Sequence, residues 1–141
     1  MSAVIGVNAT KIAAGGISNQ LAKGTYDARV KCIVDSYEAA ALASNSTITV
    51  GGTLPAGARV QDVVITFDAL ADVTLLVGDS ADPNRYIDES AATAKQMHTE
   101  FADGVDYVVG TASGDNQVII TNTGVSAATG TIKIAIYYTQ D

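Results

Sequence analysis

The sequence predicts an all-β protein: an antiparallel β-sandwich, jelly-roll-like, preceded by an extended N-terminal arm. Three observations carry that prediction. The 141 residues include 15 Val, 12 Ile and 15 Thr against 6 Leu. Side chains branched at Cβ are stiff about their first torsion and suit a pleated surface better than a helix. Short apolar-polar runs recur at intervals of roughly 8–12 residues, divided by turns rich in Gly, Asn and Asp, the rhythm of a sandwich or barrel. About eight such runs follow residue 25, enough to close two sheets and limit exposed edges. An immunoglobulin-like sandwich is the nearest rival, but its Cys…Trp…Cys signature is missing, since the chain has one cysteine and no tryptophan.

Residues 1–24 read as the arm. Ile5, Val7, Ile12, Ile17 and Leu21 stand isolated among small and polar residues, and Gly15-Gly16 interrupts any helical or strand period. From residue 25 the body begins. Ala28, Val30, Cys32 and Val34 alternate with Arg29, Lys31, Ile33 and Asp35, which predicts a strand with Cys32 on its buried face. The run 45–50 (Asn-Ser-Thr-Ile-Thr-Val) is a second strand, closed by Gly51-Gly52. Leu54-Pro-Ala-Gly57 is a compact turn, Pro presetting one torsion and Gly accepting positive φ. The longest strand follows over 58–67 with Val63, Ile65 and Phe67 on one face, and residues 73–77 form another before Gly78-Asp79. Between 79 and 103 the strand pattern weakens: 82–85 is a turn, Tyr86-Ile87 a short strand, and 90–97 one or two helical turns. Strands are expected again over 105–109, 117–122 and 131–139. In the last, Ile132, Ile134, Ile136 and Tyr138 face one way while Thr131, Lys133, Ala135 and Tyr137 face the other.

The net charge is −7, which opposes general binding to nucleic acid or to anionic lipid, both of which need a basic face. The charge is unevenly spread. Residues 1–24 hold Lys11 and Lys23 and no acid, whereas 25–141 hold 6 basic and 15 acidic groups. Cys32 is the only cysteine, so neither an internal disulfide nor a thiolate zinc site is expected. No apolar run approaches the roughly 20 residues that span a bilayer, and residues 1–7 lack the basic start of a signal peptide. Synthesis in a reducing cytoplasm is the expectation. With 48% hydrophobic and only 16% charged residues, the surface has few charges to keep neighbours apart, and self-association or docking on a partner is expected.

No constellation of residues carries chemistry. His98 is the only histidine, and no Gly-x-Ser-x-Gly elbow supplies a nucleophile for it. Asp79, Asp82, Asn84 and Asp88, with Asp103, Asp106, Asp115 and Asn116, are the nearest approach to a calcium site, but their spacing misses the regular loop and they read as solvated turns. Gly51-Gly52 lacks the Gly-Lys-Ser/Thr of a phosphate loop. The six tyrosines (26, 37, 86, 107, 137 and 138) are scattered, and Tyr137 and Tyr138 point to opposite faces of one strand. Such a distribution suits packing and interfaces. A carbohydrate-binding module would need them as an exposed platform. Two sequons, at Asn8 and Asn45, matter only on a eukaryotic secretory route. No catalytic, cofactor-binding or metal-binding residue is assigned.

Three stretches carry a resemblance. Residues 26–40 (Tyr-Asp-Ala-Arg-Val-Lys-Cys-Ile-Val-Asp-Ser-Tyr-Glu-Ala-Ala), 46–65, with its Leu54-Pro-Ala-Gly-Ala-Arg-Val60 turn and strand, and 75–87, with its Gly78-Asp-Ser80 loop, resemble small virion proteins of tailed bacteriophages. The likeness is to the capsid decoration, or cement, proteins on the outside of phage heads, and it covers about residues 25–141. It implies a sandwich that forms a homotrimer and clamps the major capsid protein from outside the shell, made in the host cytoplasm, with no catalysis, cofactor, nucleic acid or membrane partner. Other virion roles (tail, fibre base, head fibre) share the fold and composition.

Overall fold

The computed structural model describes residues 13–16, 29–68, 73–91, 96–99, 104–110 and 114–140. The arm therefore lies outside the described residues except for 13–16, as do Asp103 and the middle of the segment read as helical. The described residues form eight strands: β1 (Lys31–Leu42), β2 (Thr47–Thr49), β3 (Ala58–Phe67), β4 (Thr74–Gly78), β5 (Ile87–Ala91), β6 (Gln96–His98), β7 (Ile119–Asn122) and β8 (Ala128–Gln140). They form two antiparallel four-stranded sheets in the orders β1-β8-β3-β6 and β2-β7-β4-β5. Successive strands alternate between the sheets except β4 and β5, which pair as neighbours within one sheet, and all the remaining connections cross the sandwich. This is the jelly-roll order, and it brings the first and last strands side by side.

The core lies where the two inner faces meet. Val63, Ile65 and Phe67 of β3 and Ile132, Ile134 and Ile136 of β8 pack toward Ile48, Leu75, Val77 and Ile120 of the facing sheet. Each fully buried side chain of this size contributes about 1.5–3 kcal/mol, so the period-two pattern of β3 and β8 dictates the whole closure. Tyr138 is buried and Tyr137 is not, as their opposite directions require.

Local chemistry ends the strands where the turn residues stand. Gly57 has φ +83° and Ala58 N–H donates to the Pro55 carbonyl at 3.0 Å, closing the Pro-Ala-Gly turn. Asn122, fully buried at the end of β7, donates to the Leu42 carbonyl at 3.1 Å and the Ser126 carbonyl at 3.0 Å and accepts from Gly124 N–H at 3.0 Å. One side chain thus ties the β1–β2 and β7–β8 connections together.

Three expectations need correction. Cys32 is exposed, not buried. The inner residues of β1 are Ile33 and Ala39, because pairing aligns Ile33 with Ile136 and Tyr37 with Ile132 of β8. Both faces of β1 carry apolar residues, so alternation alone leaves its orientation undecided, and the β8 register chooses. Residues 90–97 are not helical turns at their described ends: Ser90 and Ala91 belong to β5, and Gln96 and Met97 to β6. Their small and polar side chains suit a helix, but each end gains ladder partners on β4 and β3. Residues 105–109 make a turn and one isolated bridge, Val108 to Arg59, in place of a strand. Asp106 adopts φ +67° there, which breaks the extended conformation.

Candidate interaction surface

The acidic residues that came nearest to a metal signal are bound into the fold. Asp79 is buried at the end of β4. One of its carboxylate oxygens, Oδ2, meets Arg85 Nε at 2.5 Å; the other, Oδ1, accepts from the amides of Ala81 at 2.9 Å and Asp82 at 2.8 Å. This is an Asx turn closed by an arginine. The hydrogen bond to Asp79 raises the Arg85 pKa above its usual range against the effect of burial. The guanidinium also lies over the Tyr107 ring, 4.0 Å from its centroid, a cation–π contact. Tyr107 meets Tyr86 edge-on at 6.3 Å between centroids and donates its hydroxyl to Asp115 at 3.1 Å. Asp115 also accepts Gly110 N–H at 2.8 Å.

The chain Asp79–Arg85–Tyr107–Asp115 thus staples the 79–86 loop to the 104–115 segment. Burial, then the charge of Asp79, pushes the Tyr86 phenol far above its ordinary pKa, and burial with the Asp115 bond raises Tyr107. Both stay neutral.

Two more candidates are paired: Asn84 donates to Asp88 at 3.1 Å and Asp106 pairs with Arg59 at 3.0 Å. Asn116 contributes its backbone carbonyl, which accepts Leu54 N–H at 2.8 Å. Asp82, Asn84, Asp88 and Asp106 line an open groove with Arg85 and Tyr107. Among the described residues no three His, Cys, Asp or Glu side chains come together as a metal site. His98 is exposed on β6, with Nδ1 3.3 Å from Asp62 and Nε2 2.6 Å from the Gln96 amide nitrogen. No serine or cysteine hydroxyl or thiol is bonded to it among the described residues.

What the surface does offer is an apolar sheet face. Register places Val34, Ala135, Val64 and His98 in one row across β1, β8, β3 and β6, and Cys32, Tyr137 and Asp62 in the next. Val34 is 72% exposed, Val30 63% and Tyr137 38%. The bulge at Gln61 shifts the register so that Arg59 stands opposite Thr139 and, by the isolated bridge, Val108, which is also exposed. On the inner side of β1, Asp35 accepts Gly51 N–H at 2.6 Å and Ser36 N–H at 2.8 Å, bonds that hold its carboxyl below the usual pKa. Sequence reasoning foresaw a sticky surface from composition but set Val30, Cys32 and Val34 on the buried side. The signal that finds them is the register of β1 on β8.

No family model and no curated protein matches the chain. Solved structures do. A chain of the cyanophage Pam1 capsid asymmetric unit superposes with a TM-score of 0.68 at 25% identity, over 81% of this chain and 86% of that one. A chain of the Ralstonia phage GP4 capsid gives 0.63 at 20% identity, over 80% and 85%. A chain of the acid-stable capsid of Helicobacter pylori bacteriophage KHP30 gives 0.58 at 15%, over 78% and 86%. All three are chains of bacteriophage capsid structures, and high coverage on both sides makes them similar in length to this chain.

Proposed function

We propose that the protein is a structural component of a tailed-phage virion that decorates the capsid from outside, binds major capsid protein subunits and stabilises the shell as a trimer. The observation that carries this reading is the match along most of both chains to a component of the Pam1 capsid. The chemistry of the surface agrees with it. The polar side chains nearest to a reactive or metal-binding cluster are occupied in holding loops, while a sheet face presents valine and tyrosine outward.

A clamp of this kind works by covering seams between shell subunits. A stable contact buries around 1,600 Å², and repetition over a shell multiplies the effect of each. Residues 1–24, basic and free of acids beside an acidic body, are the arm that meets the shell or a neighbouring subunit, and residues 25–141 are the sandwich that supplies the trimer.

The test is binding of the purified chain to phage heads that lack it, read by co-sedimentation. The full chain is expected to bind and to raise the temperature at which heads burst. A chain without residues 1–24 is expected to keep its circular dichroism spectrum and lose binding. Undiminished binding by that truncated chain would overturn the role of the arm, and no binding by the full chain would overturn the decoration reading.

A further inference from the structure

We draw no further inference here: the strongest candidate, the outer face of the β1-β8-β3-β6 sheet around Val34 and Tyr137, carries nothing because nothing in the structure shows what covers it.

Discussion

Replacing Asp79 with Asn isolates the electrostatic part of the staple between the 79–86 loop and the 104–115 segment. The change keeps the shape of the side chain. Its remaining oxygen can still accept the Ala81 and Asp82 amides now bonded to Oδ1. The new amide nitrogen, however, points at Arg85 Nε, where Oδ2 stood at 2.5 Å, and two donors face each other.

The loss has two parts. A charge-assisted hydrogen bond contributes about 1.5–3 kcal/mol, and removing one partner of a fully buried ion pair costs about 3–5 kcal/mol. Arg85 retains 17% side-chain exposure and its seat on Tyr107, so solvent and ring relieve part of the second. A destabilisation of about 2–3 kcal/mol follows. At roughly 4 °C per kcal/mol for a domain of this size, the melting temperature falls by about 10 °C.

The assay is calorimetric or circular-dichroism melting at pH 7 of the parent, Asp79→Asn, Arg85→Met and the double variant. The double variant is expected to be more stable than the sum of the singles by about 1.5 kcal/mol or more, because the pair is coupled. A fall of less than about 3 °C in Asp79→Asn, or additive singles, would show that the contact contributes no more than a surface ion pair and would refute the reasoning.

Two further outcomes follow from distances at other positions. At Gly78→Ala the new Cβ would sit 2.2 Å from the Asp82 carbonyl oxygen and 2.4 Å from the Pro83 carbonyl carbon; both are backbone, so the loop must move, and a cost of about 2 kcal/mol or more in urea unfolding is expected. An Ala variant as stable as the parent would mean that the Asx turn is not held as described. At Asp35 the amides of Gly51 and Ser36 lower the carboxyl pKa below 3.8, so the folded state binds this proton less readily than the unfolded chain. The Asp35 contribution is therefore fully present above the unfolded-state pKa and is lost as pH falls through the lower folded-state value. The gap in urea midpoint between parent and Asp35→Asn should be constant from about pH 5 to 7 and shrink below pH 3.8; a gap unchanged at the lowest pH would sink the argument.

The alternation of isoleucine in β8 and of Val63, Ile65 and Phe67 in β3 was enough, by itself, to determine two long central strands and the faces they bury. Their periods admit one inner face each. The Pro55-Ala-Gly57 turn was equally readable, because each residue type answers to one torsion. Composition alone also determined that the chain is all-β and short of surface charge. Long-range pairing decided the rest. The described ends of the helical-looking segment 90–97, Ser90-Ala91 and Gln96-Met97, belong to β5 and β6, since ladder positions on β4 and β3 outweighed the weak local preference of small residues.

The inward direction of β1 depended on its register against β8, 91 or more residues away in sequence for every pair except Leu42 with Ala128. No local pattern could set it, because Val30, Cys32 and Val34 compete with Ile33 and Ala39 for the same core. That one decision put Val30 and Val34 on the solvent side of the sheet. The Asp79–Arg85–Tyr107–Asp115 chain was hidden for the same reason. Its members are ordinary turn and strand-end residues until the jelly-roll crossings bring two loops within hydrogen-bond reach, and only then do buried charges find the partners that burial demands.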